Sequence, residues 1–209
     1  YFLVGGLDDL ALDLCWLWSR FRRRPAPPMP ATAPLIAVFV PLWRESAVIR
    51  PMVDHNLAAI DYRRYEFFIG VYPNDADTRA EVDALARHYD CVHLAGVPHD
   101  GPTSKADCLN WIYQRMLLWE QSHGCRFDVV VIHDAEDLIH PGSFKRIAQW
   151  TTDYDMVQVP VLALATPWYD LTHGLYADDF AESQSKDLAA RVAAGGFLPG
   201  CGVGTAFRR

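Results

Sequence analysis

The segment Phe127 to Asp137, FDVVVIHDAED, constrains the fold of this chain more than any other part of the sequence. It begins with an uninterrupted apolar run, Val129 to Ile132, which is typical of a strand buried on both faces in a parallel sheet covered by helices. Because an unpaired charge is very costly inside such a strand, we expect the acidic residues that follow to lie where the strand emerges. In open α/β sheets, ligands bind at these carboxyl ends. The segment therefore predicts a fold class and the edge of the sheet that holds a site.

Strand-like and helix-like segments alternate along the rest of the chain. Strands are predicted at 35–40, 65–72, 91–94, 127–133 and 156–164, with helices at 45–60, 78–89, 104–122, 141–150 and 175–194, and a Gly-rich, then strand-like segment at 200–209. This alternation is typical of α/β proteins with a mostly parallel sheet and helices on both faces. A chain of 209 residues is enough for one sizeable domain of this kind rather than two.

The first 24 residues predict a membrane-proximal or interfacial helix. Their apolar positions are interrupted by Asp8, Asp9 and Asp13, and acids are expensive in a bilayer core. Residues typical of the cytoplasmic membrane interface come next, namely Trp16, Trp18, Arg20 and Arg22 to Arg24. The segment is either the end of a transmembrane helix or a helix lying in the interface. An ordinary amphipathic helix docked on the domain is the remaining alternative.

A Pro/Ala linker is predicted at 25–34, and the α/β domain at 35–209. The chain starts at Tyr1 and stops at Arg209, directly after an apparent strand, so we interpret the sequence as a fragment. The net charge of −7, without a basic stripe, argues against nucleic acid as a partner. Five widely spaced cysteines without a C-x-x-C pair argue against a zinc knuckle or a disulfide framework and fit a reducing compartment.

Polar residues follow the predicted strands at their carboxyl ends, where they are expected to converge on one rim of the sheet. They are Glu45 after the first strand, Asp75 and Asp77 after the second, Lys105 after the third, and Asp134 and Glu136 after the central one. Carboxylates suit Mg²⁺ or Mn²⁺ with substrate phosphates, and a lysine suits a phosphate, so the set predicts a nucleotide-diphosphate site. The glycine motifs of P-loops and dinucleotide sites are absent from the sequence.

Simpler interpretations exist for several of these residues. The three acids after the central strand could form a solvated loop or a helix cap. Asp75 and Asp77 are also good turn and N-cap residues. His133 and Asp137 are expected to support the metal site or to be structural rather than to bind the ion.

Five segments, taken in order, resemble family 2 glycosyltransferases of the GT-A fold: VPLWRE, SKADCLN, HDAED, QVP and GCGVGTAFRR. SKADCLN looks like the family's G-K-A-x-A-L-N motif, and DAE looks like its D-x-D motif. The closest resemblance is to the NfrB-like phage-adsorption protein B group of inner-membrane glycosyltransferases. It rests on the segments GLDDL, YPNDADT, GPTSKADCLN and HDAED, and it extends over nearly the whole chain.

The resemblance implies an inverting transfer of a hexose or hexosamine from a UDP-sugar to a growing envelope or secreted polysaccharide. The transfer would take place at the cytoplasmic face of a bacterial inner membrane. Asp134 and Glu136 would hold Mg²⁺ or Mn²⁺ against the donor diphosphate. The other implied nucleotide, sugar and acceptor contacts are Lys105 near the nucleotide, Glu45, Asp75 and Asp77 in the uridine pocket, and Gln158, Gly202 and Thr205 near the donor sugar and acceptor.

Two features depart from the family pattern. Tyr72 and Pro73 stand where many members have two adjacent aspartates. The family's T-E-D motif, which carries the general base, and its Q-x-x-R-W motif do not occur up to Arg209, so the base is expected downstream. No catalytic base is therefore assigned within this sequence, and the fragment is expected to bind donor better than it turns it over.

Two rival functions are considered. A nucleotidylyltransferase would have a Gly-rich phosphate loop directly after the first strand, whereas residues 41–45 contain no glycine. A non-catalytic membrane scaffold or receptor component that retains the GT-A fold is the alternative from a different class. The acidic residues and Lys105 disfavour it.

Overall fold

The computed structural model describes residues 2–21, 25–164, 167 and 169–209. The described residues form six strands: β1 (Ile36–Pro41), β2 (Tyr65–Val71), β3 (Val92–Gly96), β4 (Val129–Ile132), β5 (Met156–Gln158) and β6 (Thr205–Arg208). The helices are α1 (Phe2–Phe21), α2 (Ile49–Ala59), α3 (Ala76–His88), α4 (Lys105–His123), α5 (Ser143–Trp150), α6 (Leu171–Glu182) and α7 (Leu188–Ala193). A π-helical segment, Ser183–Asp187, joins α6 to α7.

The six strands form one sheet in the order β3-β2-β1-β4-β6-β5. β1 lies beside β2 and β4 and is parallel to both, and β2 is parallel to β3. β6 enters between β4 and β5 and runs antiparallel to each. The predicted α/β fold with a mostly parallel sheet is therefore confirmed. The strand-like end of the sequence is the one strand of this sheet that runs against the others.

Two hydrophobic clusters, one on each face of the sheet, explain the unbroken apolar runs. On one face, alternate residues of β1 pack with helices α2, α3 and α5: Ile36, Val38 and Val40 contact the cluster of Ile49, Val82, Leu85, Phe144 and Ile147. On the other face, Ala37 and Phe39 join Cys108, Ile112 and Met116 of α4. Because both faces of β1 are covered, neither set of alternate positions can be polar.

Three predicted elements differ from the observed ones. The second helix begins at Ile49 rather than at residue 45, because Arg44 adopts a left-handed φ of 58° and the preceding segment forms a turn. The predicted strand at 156–164 pairs only over Met156–Gln158, and Pro160 beyond it has no N–H to donate to a neighbouring strand. The predicted helix at 175–194 starts earlier, at Leu171, and is interrupted by the π-helical segment.

The chain separates into two compact units. One comprises residues 1–25 and 160–201, and the other comprises 26–159 and 202–209, which include the whole sheet. Residues 160–201 thus group with α1, whereas the sequence placed them in the α/β domain, and the predicted domain limits stay a prediction.

Within the first unit, Lys186 of the π-helical segment donates to Asp13 of α1 at 2.7 Å. α1 also exposes a stripe of apolar side chains at helical spacing: Leu7, Leu10, Leu14, Leu17 and Phe21. Over the described residues, none of the helices combines the length and the apolarity needed to cross a membrane.

Candidate functional site

The carboxyl ends of β1 and β4 lie side by side, which brings their following loops together. In the parallel register, Phe39 of β1 is opposite Ile132, the last residue of β4. Asp134 follows Ile132 by two residues, and Glu45 lies four residues beyond the end of β1. The sheet therefore brings the loops that carry Asp134 and Glu45 to the same rim.

The loop after β4 directs its carboxylates away from the core. Ala135 is buried, whereas Asp134 is half-buried and Glu136 is exposed. Asp137 folds back, and its carboxylate accepts hydrogen bonds from the Asp134 backbone N–H at 2.9 Å and pairs with His133 Nδ1 at 2.9 Å. The supporting role expected for His133 and Asp137 agrees with these contacts, because Asp137 holds the backbone of Asp134 in place.

Glu45 lies in the electric field of the same acids. Burial raises the pKa of the Glu45 carboxyl, and the negative charges of Glu136, Asp75 and Asp134 raise it further. Burial is the largest cause of this shift, and repulsion from acids that are far away in the sequence adds to it. A cation among them would relieve that repulsion.

Lys105 supplies one positive charge to this rim. It is the first residue of α4, and Ser104 caps the helix by accepting a hydrogen bond from the Asp107 backbone N–H at 3.1 Å. The Lys105 ammonium donates to Asp134 Oδ1 at 2.5 Å and to the Gly202 carbonyl at 3.3 Å. Lys105, Asp134 and Gly202, which the sequence predicted for one site, are thus in direct contact.

The Asp75 side chain is buried and binds backbone N–H groups beside the site. It is 8% exposed, and its carboxylate accepts from the Arg44 backbone N–H at 2.6 Å and, at 3.4 Å, from Thr78, as the N-cap of α3. Thr78 Oγ1 in turn accepts from the Glu45 backbone N–H at 3.0 Å. These bonds make Asp75 the support of the loop that carries Glu45. The cap role was one of the two sequence interpretations, and the uridine contacts of Asp75 and of the exposed Asp77 stay predictions.

Gln158 and Thr205 are joined to each other across β5 and β6. Thr205 Oγ1 donates to Gln158 Oε1 at 2.6 Å, and the Gln158 amide donates to the carbonyls of Val159 and Val203 at 2.9 and 2.8 Å. These bonds fix the segment that contains Gly202, whose φ of 78° suits glycine. Contacts of Gln158, Gly202 and Thr205 with a donor sugar or acceptor stay predictions.

Two supporting residues were not found from the sequence. The Thr78 hydroxyl accepts a hydrogen bond from the Glu45 backbone N–H. The side-chain amide of Asn56 in α2 forms hydrogen bonds with the backbone of the loop after β4. Thr78 follows the cap residue Asp75 by three positions, a spacing that could have drawn attention to it. Asn56 has no such sequence signal, because its partners lie more than 80 residues away.

The donor atoms on this rim fit a divalent cation. Asp134 and Glu136 offer hard carboxylate oxygens, and their negative charges add to the effect of burial in raising the pKa of Glu45. In the described part of the chain, no group of three His, Cys, Asp or Glu side chains could hold a metal by itself.

Comparison with known proteins gives concordant results. Residues 33–209 match the model of a family described as glycosyltransferase like family 2. The chain is 36% identical over 218 aligned positions to bacteriophage adsorption protein B of Escherichia coli K12, and equally to bacteriophage N4 adsorption protein B of E. coli O157:H7. The alignments include 99% of this chain but only 29% of each relative.

A solved structure supports the fold. The mannosyltransferase PcManGT of Pyrobaculum calidifontis, in complex with GDP-Man and Mn²⁺, superposes with a TM-score of 0.55 at 20% identity. The match extends over 99% of this chain and 54% of the other. The family model spans most of the sequence, and the superposed structure supports the same fold. The chain therefore belongs to glycosyltransferase family 2.

Proposed function

We propose that the protein is an inverting glycosyltransferase that transfers a hexose or hexosamine from a UDP-sugar to a growing envelope or secreted polysaccharide. The observation that carries the proposal is the rim where Asp134, Glu136, Glu45 and Lys105 meet in a family 2 chain. The activity of the whole protein is part of the proposal, because the chain spans 29% of the length of the curated relatives it matches.

The roles follow from the charges. Asp134 and Glu136 would hold Mg²⁺ or Mn²⁺, which would neutralise the charge that develops on the departing diphosphate. Lys105, at the N-terminus of α4 and beside Asp134, would bind a phosphate oxygen of the donor. Glu45, supported by Asp75, would line the donor pocket. These groups align the donor before the chemical step.

The chemical step needs a nucleophile and a base. An acceptor hydroxyl oxygen attacks the anomeric carbon as the bond to the diphosphate oxygen breaks, and the bond's electron pair leaves with UDP. The hydroxyl proton passes to a general base, which we expect beyond Arg209. The described residues would therefore supply donor binding and electrostatic stabilisation rather than proton transfer.

Nucleotide binding tests this proposal. In a calorimetric titration, UDP should bind the purified chain in the presence of Mn²⁺ and much more weakly without it, because metal and diphosphate complete each other's coordination. GDP, titrated in parallel, should bind at least about tenfold more weakly, an energy difference of about 1.4 kcal/mol. Absence of Mn²⁺-dependent binding to any nucleotide diphosphate by the folded chain would favour the non-catalytic scaffold.

We further propose that the protein sits at the cytoplasmic face of a bacterial inner membrane, with α1 in the interface. The support is the exposed stripe formed by Leu7, Leu10, Leu14, Leu17 and Phe21. The basic run Arg22 to Arg24 follows α1, and such runs attract anionic lipids.

Co-sedimentation with vesicles tests the membrane proposal. The chain should sediment with vesicles that contain anionic phosphatidylglycerol, and the double variant Leu10→Glu/Leu14→Glu should stay in the supernatant. Leu118→Glu, which changes an exposed leucine on α4, is the matched control and should sediment like the wild type. Equal sedimentation of all three proteins would contradict the interfacial role of α1.

A further inference from the structure

Asn56 joins α2 to the loop that carries the proposed metal ligands. Its side chain is fully buried. The amide nitrogen donates to the Asp137 carbonyl at 2.8 Å, and the amide oxygen accepts from the Ile139 backbone N–H at 2.8 Å. One side chain thus satisfies two backbone groups of the segment between β4 and α5.

The bonds of Asn56 continue to Asp134. Asn56 holds the Asp137 backbone, and the Asp137 carboxylate holds the Asp134 N–H at 2.9 Å. The Asp137 N–H also returns to the Asp134 carbonyl at 3.3 Å, which closes the turn. The position of the Asp134 and Glu136 carboxylates therefore depends on a series of buried or half-buried bonds that begins in α2.

The chemistry of an amide suits this place. Asn places a donor nitrogen and an acceptor oxygen at the end of one short side chain, and the carbonyl of Asp137 and the N–H of Ile139 require one of each. Aspartate has nearly the same shape but no donor when ionised, and leucine has neither group. A neutral residue also adds no charge beneath a rim that already holds several carboxylates.

We propose that Asn56 is a positioning residue for the donor site, which fixes the turn so that Asp134 and Glu136 together meet a divalent metal and the donor diphosphate. The inference rests on the proposed metal-dependent function. It goes beyond a packing role, because it predicts that the bound metal itself responds to a change at residue 56.

The test measures Mn²⁺ in the presence of UDP by electron paramagnetic resonance, on the wild-type chain and on Asn56→Leu and Asn56→Asp. Asn56→Leu removes both bonds, whereas Asn56→Asp keeps the acceptor for Ile139 and remains informative if the leucine variant does not fold. We expect about 10- to 100-fold weaker Mn²⁺ binding, the range typical of residues that orient metal ligands. The spectrum of the bound ion should also change, because its carboxylate ligands are displaced.

Thr151→Val is the matched control. Thr151 is a buried polar residue whose hydroxyl donates to the Ile147 carbonyl in α5, away from the metal loop. It should lower stability in chemical denaturation but leave Mn²⁺ affinity and spectrum unchanged. One contrary outcome is that the wild-type chain binds Mn²⁺ and UDP, and the folded Asn56 variants bind them with affinities within about twofold of the wild-type values. In that case the positioning role is wrong and the proposed function stands. If the wild-type chain binds neither, both proposals fail.

Discussion

Asp134→Asn is expected to lower Mn²⁺-dependent UDP binding by more than about a hundredfold, with the fold intact. Mutating a residue that only orients a metal ligand typically lowers metal affinity by about 10- to 100-fold. Removing a ligand itself should lower the affinity at least as much. The substitution keeps the shape of the side chain but replaces a charged ligand by a neutral amide. It also removes the charge that Lys105 pairs with at 2.5 Å.

The measurement is calorimetric titration of UDP with Mn²⁺, with circular dichroism to verify the fold. Asp61→Asn is the matched control, because Asp61 is an exposed carboxylate that also pairs with a lysine, Lys145, and follows α2 rather than the carboxyl end of a strand. It should bind like the wild type. An Asp134→Asn protein that binds within a few-fold of wild type would remove Asp134 from the metal site.

Gly70→Ala is expected to destabilise the sheet unit by about 1–3 kcal/mol, the usual cost of overpacking a core. Gly70 lies in β2 beneath α4, and a Cβ built there would stand 2.5 Å from Cys108 Sγ and 2.7 Å from Ile112 Cδ1. Real Cβ atoms do not approach other atoms so closely, so α4 or its side chains must move. α4 begins with Lys105, so a shift of this helix would also reach the site.

Chemical denaturation of a double-mutant cycle tests the cause. Cys108→Ala removes the sulfur nearest to the added methyl group, so the double variant should recover part of the loss, a coupling that independent sites do not show. Gly174→Ala is the matched control, because a Cβ at this helical position meets nothing within 4 Å. It should be neutral or stabilising by up to about 1 kcal/mol. Equal stability of Gly70→Ala and wild type would contradict the close approach of α4.

The approximate location of the site could be predicted from the sequence, because it depends on local patterns. Unbroken apolar runs indicate strands covered on both faces, and charge cannot stay inside them. Asp134 and Lys105 were therefore expected on one rim, and they are in contact there. Gly202, which only the family resemblance assigned to the site, accepts a hydrogen bond from the same lysine. The role of each individual acid could not be predicted in this way. A carboxylate that caps a helix and one that faces a ligand look alike in a sequence, as Asp75 illustrates.

Sequence alone determined the α/β class, the order of the elements and the family motifs, since hydrophobic periodicity and spacing are properties of neighbouring residues. Only the tertiary structure decided that β6 lies antiparallel between β4 and β5, that Asp75 supports Arg44, and that Asn56 holds the loop after β4. Periodicity states which face of an element is buried but not which partner it meets. Hydrogen bonds between residues 31 to 83 positions apart form only when the packed sheet brings their backbones together.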